Sequence, residues 1–119
     1  MSENSKPACA DMATNVVLIY ATFPSVAEAE RIGGALVESR LAACVNILPG
    51  MVSIYRWEGR LNRDAEAAMI IKTRKDLVDR AMTEARAMHP YTNPAFVVLP
   101  AEGGSAPFLQ WIRDETAGS

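Results

Sequence analysis

The chain has a single histidine, His89, and two cysteines, Cys9 and Cys44. His89 opens the run HPYTNP at 89–94. An imidazole there could ligate a metal, move a proton, or end a helix ahead of Pro90, where a cationic ring interacts well with the last carbonyls. One side chain does not hold a transition metal, and the HExxH and paired Cys/His patterns are absent. A metal site around His89 must therefore recruit Cys44, Tyr91, carboxylates or a second copy of the chain. Cys44 follows Ala42-Ala43 at the start of a strand and reads first as a small buried hydrophobe. As a nucleophile it would need His89 as its base. Ser25 has no nucleophile-elbow context, and Gly33-Gly34 is no phosphate loop, since neither GxxxxGK[ST] nor GxGxxG occurs. Tyr55 and Trp57 share one strand face and read as packing residues before they read as a platform for nucleobases. Spacing alone assembles no catalytic constellation, and no enzymatic activity is expected.

The elements that must position these residues follow from composition and periodicity. The 119 residues fit one domain, large enough to fold without disulfides. Twelve basic against fourteen acidic residues leave a net charge of −2, which argues against nucleic acid as a partner. No apolar run approaches the ~20 residues a membrane helix needs. The segment MSENSKPACADMAT at 1–14 lacks a signal-like apolar core and reads as a flexible tail. The expected location is the cytoplasm, where a bridge between Cys9 and Cys44 is not expected.

The folded domain is expected over 15–116. NVVLIYATF at 15–23 reads as a central strand buried on both faces. Ser25 and Glu28 have capping-box spacing, and Val26, Ala29, Ile32, Leu36 and Val37 form the apolar face of a first helix. Gly33-Gly34 costs this helix about 1 kcal/mol per glycine, which close packing against the sheet would explain. Pro49-Gly50 is expected to break the next strand after Leu48, and Val52, Ile54 and Arg56 alternate with Ser53, Tyr55 and Trp57. Glu58-Gly59-Arg60 marks a hairpin turn, with the returning strand at 66–72. A second helix is expected over 73–89, capped by Thr73, with an exposed Asp76–Arg80 pair and a face of Leu77, Val78, Ala81, Met82, Ala85 and Met88. A fourth strand follows at 95–101 and a short helix at 105–116, with Ser105 as its cap. The order βαββαβ plus one helix is that of a ferredoxin-like α+β sandwich. Two helices cover one face of such a sheet, and the other face, with the long hairpin, points to self-association.

One resemblance adds to this reading. RLAACVN, PG, SIYRWEG, KT and HPY occur in this order between 17 and 111, and the chain resembles the CutA family of divalent-cation tolerance proteins. The resemblance implies a ferredoxin-like subunit in a tight homotrimer similar in architecture to PII-type signal proteins, without firm catalysis. Family members are linked to tolerance of copper and other divalent metals, and animal members to acetylcholinesterase anchoring. Carried over residue by residue, it implies an inter-subunit cleft holding Cys44, Trp57, Lys72, His89 and Tyr91, with His89 and Cys44 as metal ligands. Further family ligand positions are here occupied by Ala21, Met88 and Ala95. The expectation is weak binding of Cu(II) or another divalent cation, with no obligatory cofactor. The alternative is a PII-like sensor trimer that binds a small anion in the same clefts.

Overall fold

The computed structural model describes residues 14–116. The expected tail, with Cys9, lies outside the described residues except for Thr14. The elements are β1 (Val16–Phe23), α1 (Val26–Glu38), β2 (Cys44–Trp57), β3 (Arg60–Arg74), a 3-10 turn (Lys75–Leu77), α2 (Val78–Met88), β4 (Phe96–Pro100) and α3 (Ala106–Thr116). They form an antiparallel sheet in the order β2-β3-β1-β4. This is the ferredoxin-like α+β arrangement expected from the element order.

β1 sends Val17, Ile19, Ala21 and Phe23 into the core shared with α1 and α2. Its opposite residues Leu18, Tyr20 and Thr22 are only half-buried, so the strand is not covered on both faces as its composition predicts. The cause is α3, which reaches only one end of that second face, where Ile112 packs with Val16 and Ala43.

In α1 the Ser25 hydroxyl accepts the Glu28 N–H at 3.2 Å, one half of the capping box. The Glu28 carboxylate turns to Arg31 Nη2 at 2.6 Å. Arg31 also donates to the Met88 carbonyl at 2.8 Å and ties α1 to the last turn of α2. The two glycines are not equivalent. A Cβ on Gly33 would lie 2.8 Å from both Met69 Sδ and Val45 Cγ2, whereas one on Gly34 meets nothing. Only Gly33 is required by close packing. Val37 lies off the buried stripe and is exposed.

Pro49-Gly50 does not end β2. The strand continues through it with one extra residue between Leu48 and Met51, a β-bulge, with Gly50 at φ +75°. β2 is an edge strand, so the missing N–H of Pro49 costs no ladder bond. The tight turn is Glu58-Gly59, both with positive φ (53° and 77°), the geometry whose twist matches a two-residue hairpin. The returning strand starts at Arg60, not at 66, because residues 60–65 gain their strand character from pairing with β2 rather than from their own apolarity.

Thr73 is not a helix cap. It is fully buried near the end of β3 and donates to the Leu41 carbonyl at 2.7 Å. The helix starts later, through the 3-10 turn, without a side-chain cap. Asp76 pairs with Arg74 Nε at 3.1 Å, not with Arg80. The apolar face expected for α2 is present: Leu77, Val78, Ala81 and Ala85 are buried, and Met82 and Met88 pack against them. The domain measures 54 × 30 × 22 Å. Much of the long axis is the β2–β3 hairpin, where Ile54 and Leu61 are 67% and 72% exposed.

Candidate functional site

Pro90 holds His89 in an extended backbone conformation (φ −75°, ψ 137°), which ends α2. The ring then turns inward and is 8% exposed. Its Nδ1 accepts the Tyr91 N–H at 3.1 Å, and a backbone N–H can only donate, so the ring proton sits on Nε2. Nε2–H donates to the Thr22 carbonyl at 2.8 Å. The ring stacks on Phe23 at 4.7 Å and meets the Phe96 edge at 6.1 Å. Both nitrogens are therefore committed within the chain, and His89 clamps the 89–94 loop to the end of β1. To ligate a metal it would have to release one of these partners.

The clamp aims Tyr91 at the hairpin. Tyr91 donates its hydroxyl proton to Glu66 Oε2 at 2.6 Å. One rung further along β3, Tyr55 donates to Asp64. Asp64 and Glu66 alternate along β3 and so point to one side, opposite Ser53 and Met51 respectively. Tyr55 and Trp57 share that side because of the bulge: unbroken alternation from Leu48 would carry Val52 and Ile54 there instead. Burial, and then the Glu66 hydrogen bond, push the Tyr91 hydroxyl well above the ordinary tyrosine range. The Asp64 hydrogen bond raises that of Tyr55. Both phenols therefore stay protonated donors at neutral pH.

Between the hairpin and the loop lies a cleft of about 640 Å³, lined by Thr22, Tyr55, Trp57, Asp64, Glu66 and Tyr91 among others, and among the described residues no Lys or Arg enters its wall. Of the residues expected here, Trp57 and Tyr91 line the cleft and His89 lies behind it. Cys44 and Lys72 do not join them. They face each other across β2 and β3, and Lys72 Nζ lies 5.2 Å from the Phe108 ring centroid on α3. The β1 residue bonded to His89, Thr22, pairs with Ala68. Lys72 is thus displaced along β3 by roughly 13 Å at strand rise. Within one chain, His89 and Cys44 are separated for the same reason. Ala21 is buried in the helix-side core, Met88 packs against that core, and Ala95 lines the cleft. Among the described residues no three His, Cys, Asp or Glu side chains converge on a possible metal position. Asp64 and Glu66 escape notice in the sequence because a strand was expected only from 66. The i, i+2 spacing of two acids opposite Tyr55 was the available signal.

A ferredoxin-like α+β sheet, a projecting hairpin and a loop clamped by His89 define the class of this chain. The sequence model of the CutA1 divalent ion tolerance proteins matches residues 17–115. The chain belongs to this CutA family. It is 46% identical over 101 residues to the divalent-cation tolerance protein CutA of Thermus thermophilus, covering 85% of this chain and 96% of that one. It is 40% identical over 103 residues to the chloroplastic CutA 1 of Oryza sativa, covering 87% of this chain but 58% of the rice protein. The match to the chloroplastic CutA of Arabidopsis thaliana likewise spans 55% of that protein. Among solved structures, CutA from Xylella fastidiosa superposes with a TM-score of 0.84 at 41% identity, over 86% of this chain and 98% of that one. The periplasmic divalent cation tolerance protein CutA from Archaeoglobus fulgidus gives 0.81 at 48% identity, over 85% and 97%.

Proposed function

We propose that this chain is a non-catalytic, self-associating binding protein whose cleft takes a cationic ligand. The observation that carries this reading is the pair of carboxylates, Asp64 and Glu66, each fixed by a tyrosine hydroxyl in a cleft without a lining base. The relatives' description as divalent-cation tolerance proteins is consistent with it. Two carboxylates are a weak hard-ligand set, so Cu(II) or another divalent ion would bind loosely there. Titrating metal-free protein with divalent ions by calorimetry tests this: binding should be weak and should fall in Asp64→Asn and Glu66→Gln. Binding that ignores both substitutions and is lost in His89→Ala would move the site to the histidine.

Assembly as a homotrimer is part of the same proposal. The second sheet face carries exposed Leu48, Val97 and Leu99, and α3 presents stacked Phe108 and Trp111. Apolar exposure on this scale, beside two free strand edges, supports burial against further copies. Light scattering coupled to gel filtration should return three times the 12.9 kDa chain mass. A folded monomer at micromolar concentration would refute it.

A second reading, a small-anion sensor, has its own support at a different place. Arg74, Lys75 and Arg113 surround a hollow of about 630 Å³ with Asn15 and Asp76. A panel of anionic metabolites tested against wild type and Lys75→Gln distinguishes this from the cleft.

A further inference from the structure

Arg74, Lys75 and Arg113 meet at the hollow of about 630 Å³ to which the small-anion reading refers, and the following rests on that reading. We propose that this hollow binds a doubly charged tetrahedral oxyanion, a phosphate group either free or on a small metabolite, in preference to a carboxylate.

Position is the first argument. Arg74 is the last β3 partner of β1 and stands opposite Val16, roughly 45 Å of strand from Arg60 at the hairpin turn. Over this end of the sheet α3 of the same chain closes the second face, with Ile112 buried against Val16 and Ala43. The walls are held by bonds within the chain. The Lys75 N–H donates to the Asn15 carbonyl at 2.8 Å, which pins the 3-10 turn to the start of β1. Arg113 donates from Nη1 to the Thr14 carbonyl at 2.7 Å, and from Nε and Nη2 to Gln110 Oε1 at 3.3 and 2.9 Å. The three cations are thus brought together without help from a neighbouring copy.

The second argument is unbalanced charge. Every printed bond of Arg113 goes to an uncharged oxygen, and among the described residues no carboxylate pairs with Arg113 or Lys75. Asp76 is the one acidic residue of the wall, and it faces Arg74. That contact is an ion pair at 3.1 Å between Nε and Oδ1 but is not aligned as a hydrogen bond, so the buried Arg74 Nε–H lacks an acceptor. Buried donors in native proteins are almost always satisfied, which makes this one a pointer to an anion. Three cations against one carboxylate leave a surplus of two positive charges. Guanidinium forks match phosphate oxygens in pairs, and a tetrahedral dianion offers enough oxygens for two forks and an ammonium. A carboxylate offers two oxygens and one charge. The hollow also lies in the usual size range of small organic ligands, so it admits more than the phosphate group itself.

The test uses the full chain and calorimetry, with inorganic phosphate, glycerol 3-phosphate, sulfate, perchlorate and acetate as probes at one ionic strength, because screening alone changes surface attraction. Phosphate, its ester and sulfate should bind, and acetate and the singly charged tetrahedral perchlorate should bind at least about tenfold more weakly, the size of one lost charge-assisted contact. Tighter binding of the ester assigns the rest of the hollow to an organic part, and equal binding assigns the free ion; either supports the proposal. Lys75→Gln should weaken phosphate about fivefold, as expected for one half-exposed ion pair, and Lys75→Arg should keep most of the affinity. Asp76→Asn should act in the opposite direction and tighten binding, because it removes the one negative charge of the wall. Lys75 and Asp76 are exposed, so these variants are expected to fold, which far-UV circular dichroism checks. Acetate or perchlorate binding as tightly as phosphate would overturn the proposal and leave the small-anion reading intact. Phosphate binding that ignores both Lys75→Gln and Asp76→Asn would overturn it by moving the anion elsewhere. Failure of every anion would overturn both.

Discussion

Replacing His89 by alanine should be among the most damaging single changes in this protein, for reasons unrelated to metal. The substitution deletes the Nε2–H bond to the Thr22 carbonyl at 2.8 Å and the Nδ1 acceptor of the Tyr91 N–H at 3.1 Å. Each such bond contributes about 1 kcal/mol net, and more where its partner is left buried and unpaired. The stacked contact with Phe23 at 4.7 Å adds about 0.5–1.5 kcal/mol. The ring is 8% exposed, so its removal also opens a space between Phe23 and Phe96. Together these give a loss of about 3–5 kcal/mol, the range of large aromatic truncations. Urea unfolding followed by circular dichroism measures it. Wild type and variant must be compared at one protein concentration, because the proposed self-association would make apparent stability concentration-dependent. The loop should also loosen, so Tyr91 should lose its Glu66 bond. A loss below about 1 kcal/mol would refute the clamp and return the imidazole to the pool of free ligands.

Gly33→Ala should destabilise by about 1–3 kcal/mol through overpacking against Met69 and Val45, whereas Gly34→Ala should stabilise by up to about 1 kcal/mol through helix propensity. Thermal unfolding of the two variants should therefore shift in opposite directions, and a shared sign would contradict the packing of α1. Tyr91 should ionise later than an ordinary tyrosine in a spectrophotometric alkaline titration. Because its folded value is raised, its stabilisation is complete below the unfolded value near pH 10 and is lost as pH climbs from there towards the folded one. Tyr91→Phe should flatten that decline, and an unchanged alkaline slope would disprove the coupling to Glu66. Cys44 is half-buried on the sheet face proposed to be covered by neighbouring copies. In a Cys9→Ser background it should be alkylated slowly at micromolar concentration and faster on dilution, and a rate independent of concentration would count against that interface.

Much of the fold can be read from the chain because the responsible forces are local. The run Val16–Phe23, the spacing of Ala29, Ile32 and Leu36, and the apolar stripe from Leu77 to Met88 each specify an element without help from distant residues. The errors share another cause: tertiary partners overrode local signals. Residues 60–65 look like a loop and become strand by pairing with β2, and Thr73 looks like a cap but is drawn inward by the Leu41 carbonyl. The candidate site is the least legible in the sequence, since it depends on register. Trp57 and Tyr91 line one cleft of the single chain, but nothing local in the sequence tells that Cys44 and Lys72 stand at the far end of the same strands. The carboxylates became visible only when Ser53 was seen to oppose Asp64 and Met51 to oppose Glu66.

The bulge between Leu48 and Met51 gives the hairpin a mechanical character as well as a phase. It divides β2 into a part seated on the helices and a paddle that projects beyond them, with Val52, Ile54 and Leu61 exposed on the paddle. The extra residue is slack. Deleting Gly50 would leave Leu48 opposite Ala68, Met51 opposite Glu66 and Trp57 opposite Arg60, because it removes the surplus rather than a rung. What such a deletion changes is the bend, since bulges sharpen both the curvature and the twist of the strand that carries them. The paddle forms one jaw of the cleft and the His89-anchored loop the other. Chain length at this single point therefore sets the aperture of the jaws, and it can vary without exchanging any residue that lines them.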